Sequence, residues 1–157
     1  MAQLQISPSE WKNYVGKELG TSDWYEVTQD EINEYGKVIG DMQWIHVDPE
    51  RAVKESPYGT TVAHGNWVLS IAFSKLFSQL YKSVDTRMTV NYGWNKIRFP
   101  APTPLGKRIR LVGEVVNVKE IGNDAYDVEF GFKIYVEGEK KPCFAASKLS
   151  RFYSVKK

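Results

Sequence analysis

Asp41 and His46 stand five residues apart in Gly40-Asp-Met-Gln-Trp-Ile-His46, and eighteen residues beyond His46 comes the second of only two histidines, in Ala63-His64-Gly65. A carboxylate and an imidazole held close together can take a proton from one atom and return it to another. A glycine opening a helix offers unpaired N–H groups and the positive dipole end to a carbonyl oxygen, with no Cβ in the way. Together these parts suit proton transfer beside a carbonyl, which makes Asp41, His46 and Gly65 the candidate catalytic residues. The residue types alone also allow a plainer reading. Asp41 would satisfy backbone amides in its turn, His46 would pack in the core, and Gly65 would simply start a helix. His64 is expected to make a structural hydrogen bond to the neighbouring loop. Cys143, the single cysteine, has no local base or helix start to activate it as a nucleophile.

Short elements must position these groups. Ser7-Pro8-Ser9-Glu10 has the spacing of a capping box with proline at the first helical position, and predicts a short helix ending by Gly16 with Trp11 as its anchor. Asp23 to Val27 reads as a strand. Thr28-Gln29-Asp30-Glu31 is a second capping box, opening a helix that sets Ile32, Tyr35 and Ile39 on one face and stops at Gly40. Asp41 then follows a helix C-terminus, where the dipole disfavours a carboxylate. Asp48-Pro49-Glu50 restarts a helix with Asp48 as N-cap. The segment from Asp41 to His46 is therefore expected to be an irregular link clamped by helices.

Gly65 to Tyr81 is the most hydrophobic stretch and predicts a helix buried on nearly all sides. Beyond it the pattern alternates at period two. Met88, Val90, Tyr92 and Trp94 share one face of a strand, and Ile97 and Phe99 continue in the opposite phase, which predicts a bulge near Asn95. Pro100, Pro102 and Pro104 stop that strand. Two further alternating runs, around Ile109–Val115 and Tyr126–Val136, flank an Ile121-Gly-Asn-Asp124 turn, and Glu137-Gly138-Glu139 turns into a last strand over Cys143–Tyr153. The expected fold class is α+β: a central helix laid on a curved, mostly antiparallel sheet, formed as one domain over residues 1–157.

With 157 residues, 42% of them apolar, the chain can bury a sizeable core. A formal net charge of +2, with basic and acidic residues interspersed, implies no nucleic-acid partner. Two histidines and one cysteine do not make up a usual zinc set, so no metal is expected. The same single cysteine suits a reducing cytoplasm, and the sequence shows neither an export signal nor a membrane-spanning run.

Gly-Asp followed, after four intervening residues, by His, ahead of a buried helix wrapped by an antiparallel sheet, resembles the hotdog fold of the MaoC-like dehydratases, which include the R-specific enoyl-CoA hydratases. The signature of that family maps onto Tyr35, Gly40-Asp41, Ile45-His46 and Ala52. It departs at Gln43 and Trp44, where the hydratases carry Asn-Pro. Further matches are Ser56-Pro57-Tyr58-Gly59, Ala63-His64-Gly65, Val90-Asn91-Tyr92-Gly93 and Ile97-Arg98-Phe99-Pro100. The resemblance implies reversible hydration of a 2-enoyl thioester such as an acyl-CoA, with Asp41 and His46 holding one water and Gly65 binding the thioester oxygen. It further implies that Asn91, Tyr92 and Trp67 shape the acyl pocket and that Arg98, with Lys96 and Lys107, meets the phosphates of coenzyme A. No cofactor is implied, and a homodimer with sheets paired edge to edge is. Two rival readings are a hotdog thioesterase and an acyl-CoA-binding protein without activity, the second favoured by Gln43-Trp44.

Overall fold

The computed structural model describes residues 3–155. Its main sheet has six strands: β2 (Glu18–Thr21), β3 (Tyr25–Glu26), β5 (Thr86–Arg98), β6 (Arg108–Gly122), β7 (Ala125–Val136) and β8 (Phe144–Ser154). The hydrogen-bonded order is β2-β6-β7-β8-β5, all antiparallel, with β3 also paired to β6. A small parallel pair joins β1 (Leu4–Ile6) to β4 (Tyr81–Ser83).

The alternation read from the sequence is the reason this sheet has an inside. On β6 Ile109, Leu111 and Val115 are buried, and on β7 Val128, Phe130, Phe132, Ile134 and Val136 are. Tyr126, in phase with them at the open end, stays partly exposed. Against this face lies the central helix, built from three successive pieces: α4 (Gly65–Trp67), a π-helical turn over Val68–Ala72, and α5 (Phe73–Phe77). Trp67, Val68, Ala72, Phe73 and Leu76 are its buried residues. Full burial of side chains this size contributes about 1.5–3 kcal/mol each. This curved sheet around one helix is the expected hotdog arrangement.

At the N-terminal end, Ser7 and Glu10 form the expected capping box, and Trp11 is fully buried with its ring 5.1 Å from Phe130 and 4.8 Å from Tyr81. The element it opens is a 3-10 helix, Pro8–Tyr14.

Four local expectations are corrected. Only Tyr25 and Glu26 of the segment 23–27 pair as a strand. Helix α1 (Gln29–Ile39) begins as expected, but Thr28 makes no side-chain cap bond. The link from Asp41 to His46 is not wholly irregular, because α2 (Trp44–Val47) folds within it. The central helix is open along one stripe: Asn66, Ser70 and Ser74 recur every four residues and are exposed. Ser70 and Ser74 border a cavity along this face.

Strand β5 is the long edge of the sheet, with the short β2 and β3 at the other. It bulges where the change of phase predicts, between Asn95 and Arg98, and Lys96 takes a left-handed φ of 52° there. Met88 and Tyr92 on it are exposed. Among the described residues no helix is long and apolar enough to cross a membrane.

Candidate active site

Helix α1 ends at Gly40, whose left-handed φ of 76° turns the chain back so that its own N–H bonds the Gly36 carbonyl. The Asp41 N–H reaches the same carbonyl at 3.0 Å. A Cβ on Gly36 would lie 2.8 Å from the Asp41 carbonyl oxygen, a distance that side chains do not tolerate. Gly36 therefore admits the return of the chain and fixes where Asp41 begins. The Asp41 side chain projects outward, half exposed, and Oδ1 accepts a long bond from the Gln43 N–H at 3.3 Å.

His46 sits on α2, and both its backbone and its ring are held. Gln29 of α1 donates Nε2–H to the His46 carbonyl at 2.7 Å and accepts the hydroxyl of the buried Thr61 on Oε1, also at 2.7 Å. The ring Nδ1 lies 2.7 Å from the Val62 carbonyl. A carbonyl can only accept, so Nδ1 carries the hydrogen and Nε2 is left with the free lone pair. Burial pushes the His46 pKa below its ordinary value, the neighbouring His64 adds to this, and the Val62 carbonyl and Asp41 only partly oppose it. His46 is thus a neutral imidazole at pH 7 with a proton-accepting nitrogen available.

His64, buried between these elements, donates Nε2–H to the Asp41 carbonyl at 2.9 Å. This is the structural bond expected of it. Its ring stacks on that of His46 with centroids 3.9 Å apart, and Tyr35 packs edge-on at 5.4 Å. One atom each of Asp41, His46 and His64 falls within a 4.8 Å group. A carboxylate and two imidazoles can hold a divalent cation, a set that residue counts alone had not suggested. With His46 Nδ1 and His64 Nε2 already donating to carbonyls, His46 Nε2 and His64 Nδ1 are the ring nitrogens with lone pairs to offer.

Gly65 starts the central helix directly after His64, at the helix end that presents unpaired N–H groups. Phe99 packs against it so closely that a Cβ would lie 3.2 Å from the ring. A cleft of ≈ 260 Å³ opens here between Tyr58, Val62, Gly65, Phe99 and Thr103. Gln43 stands at the N-cap of α2, its N–H bonded to Asp41 Oδ1. Trp44 takes the first position of α2, under the Arg51 guanidinium at 4.4 Å, and the short helix forms regardless.

The other residues singled out are dispersed. Trp67 is fully buried in the core beside Tyr25, away from any surface a ligand could touch. Asn91 lines a second cavity along the central helix, whereas Tyr92 is exposed beneath the Arg151 guanidinium. Arg98 is exposed and bonds its neighbour's carbonyl, that of Ile97. Lys96 borders a cavity on the outer side of the sheet, and Lys107 is exposed. Cys143 is buried, which pushes its thiol pKa up. The positioning roles of Gln29 and Gly36 carried a weaker sequence signal: a glycine inside a helical pattern is the usual mark of a close approach.

The family model described as a MaoC like domain matches residues 10–135. The chain belongs to the MaoC-like dehydratase family. This MaoC-like chain is 42% identical over 137 residues to 3-hydroxyacyl-thioester dehydratase Z of Mycobacterium tuberculosis, an alignment that covers 87% of this chain and 89% of that one. Its fold is similar to that of the monoamine oxidase regulatory protein from Archaeoglobus fulgius, with a TM-score of 0.77 at 20% identity, covering 96% and 98% of the two chains. It is likewise similar to the (R)-hydratase from A. caviae involved in PHA biosynthesis, with a TM-score of 0.70 at 18% identity over 87% and 94%.

Proposed function

We propose that this MaoC-like chain reversibly adds water to a 2-enoyl thioester, giving the (R)-3-hydroxyacyl thioester, with Asp41 and His46 holding the water and passing its proton and the Gly65 N–H holding the thioester oxygen. The observation that carries this reading is the grouping of Asp41 with His46, whose Nε2 lone pair is uncommitted, at the N-terminal end of the central helix. The 3-hydroxyacyl-thioester dehydratase relative supports the same reaction class.

The chemistry follows from which atoms are free. A water between the two side chains gives one hydrogen bond to the Asp41 carboxylate and one to His46 Nε2. His46 takes the proton as the water oxygen forms its bond to the β-carbon, and negative charge moves through the enoyl system to the thioester oxygen. The helix-end N–H at Gly65 meets that charge. The imidazolium then returns its proton to the α-carbon, so the water's elements are added across the double bond and the enzyme ends as it began. The Nδ1–H to Val62 bond fixes the ring tautomer throughout.

The substrate carrier fits coenzyme A, with Arg98 and Lys107 as candidate phosphate contacts near the Gly65 cleft. A homodimer through the open β5 edge completes the reading, and the reaction is placed in the cytoplasm. A continuous assay with 2-enoyl-CoA tests it: loss of the enoyl absorbance supports hydration, release of free thiol would indicate a thioesterase, and binding without either would leave a carrier of acyl-CoA.

A further inference from the structure

Lys148 is the one lysine of the described residues that folding has taken out of water. It stands on β8, opposite Trp94 of β5 on one side and Phe130 of β7 on the other, and is only 9% exposed. Its ammonium donates to the Ser150 hydroxyl at 2.6 Å and lies 5.7 Å from the Phe77 ring and 5.8 Å from the Trp94 ring. Among the described residues none of the ion pairs involves it. An ammonium has three hydrogens to donate, and burying it without a counter-charge is costly. Burial alone pushes its pKa down to about 8, with no acidic group opposing the shift.

The ammonium borders a cavity of ≈ 650 Å³ whose walls are mostly apolar, with Leu69, Phe73 and Phe77 from the central helix and Trp94 from β5. Its size is that of a small-ligand site, and Ser70, Ser74, Ser78, Ser83 and Asn91 set polar groups among the apolar ones. A chain of side-chain contacts joins the cavity wall to the site of Asp41 and His46. Ser70, on its wall, bonds the hydroxyl of Tyr35, whose ring packs on His64, and the open stripe Asn66, Ser70, Ser74 runs along the helix between the two places. Phe77 stands twelve residues beyond Gly65, so at 1.5 Å per residue the ammonium lies up to about 18 Å along the helix from the helix-end N–H. An extended acyl chain of medium length spans such a distance.

We propose that this cavity receives the acyl chain and that Lys148 pairs there with a carboxylate at the chain's far end, so that the favoured substrates are ω-carboxylated acyl thioesters rather than plain alkyl ones. The direction of the chain rests on the hydratase reading above. Apolar walls match the methylenes, Asn91 lies on the same wall as the ammonium, Ser150 holds the ammonium in place from behind, and the carboxylate supplies the counter-charge that the fold leaves out.

Binding and turnover separate this proposal from the reading beneath it. Decanoyl-CoA and sebacoyl-CoA, the same chain with its terminal methyl replaced by carboxylate, are titrated calorimetrically into the wild-type protein and Lys148→Met, with the corresponding octanoyl and dodecanoyl pairs as length controls. A charged hydrogen bond in a dry site predicts a preference of roughly 10- to 100-fold for the carboxylated probe at the fitting length. In Lys148→Met the preference should reverse, while circular dichroism shows the fold intact, because the change removes an unpaired buried charge. Equal or weaker wild-type binding of the carboxylated probes at every length overturns the proposal whether or not the variant folds. A preference that survives in Lys148→Met overturns it as well. Carboxylate selectivity that depends on Lys148, without hydration of any enoyl thioester, would sink the hydratase reading and leave the subsite standing.

Discussion

His46 shows how a single bond sets a residue's chemistry. With Nδ1 committed to the Val62 carbonyl, the ring has one nitrogen to offer, and desolvation keeps that nitrogen unprotonated below the ordinary histidine pKa. The sign follows directly. Acid must charge a ring whose buried site disfavours the charge, so kcat/KM for enoyl hydration should hold level from pH 8 down to about 6.5 and fall only below that value. A stopped pH profile measures this, and an acid limb centred above 6.5 would contradict the assigned environment. At this scale the sequence was informative where a residue type is scarce: two histidines and a nearby aspartate narrowed the search at once. Lys148 carried no such signal. One lysine in an alternating strand looks like any other until the partner strands show that its face is the inner one.

The central helix determines where the thioester can sit. Its π turn over Val68–Ala72 resets the faces of the rod, so that Leu69, Phe73 and Phe77 line one cavity while Trp67 and Leu76 stay in the core. The open stripe was itself legible, because Asn66, Ser70, Ser74 and Ser78 recur every four residues within the apolar run, and an expectation of burial on nearly all sides passed over them. The edge strand differs. The bulge near Asn95 was legible from the change of phase, whereas the exposure of Met88 and Tyr92 was not. The helix start itself can be tested. Gly65→Pro deletes the N–H while keeping a residue tolerated at a first helical position, and Gly65→Ala keeps the N–H and asks only that the exposed ring of Phe99 yield slightly. Loss of one donor to a developing oxyanion should cost about 10² to 10³ in turnover. The proline variant should therefore lose far more than the alanine variant, both folded by circular dichroism. Equal losses would mean that Gly65 serves close approach alone.

For the molecule as a whole, one curved sheet around one helix was readable from periodicity, but the free β5 edge is a property that appears only once the strand order is known. Thirteen residues of strand with one side unpaired are an invitation to a second strand. Light scattering should report about twice the 18.0 kDa chain mass, and Tyr92→Lys, which sets a charge on that edge beside Arg151, should shift the equilibrium toward the monomer. A strict monomer at micromolar concentration would remove edge pairing from the account. The central claim is that Asp41 and His46 together hold one water and that a single proton passes from it to the α-carbon, and the hydration rate of a 2-enoyl-CoA, followed by its enoyl absorbance, tests it most directly. The account predicts that wild-type protein hydrates the substrate and that Asp41→Asn and His46→Ala, each still folded, lose roughly 10² to 10⁴ in kcat. Wild-type turnover in either folded variant would contradict it.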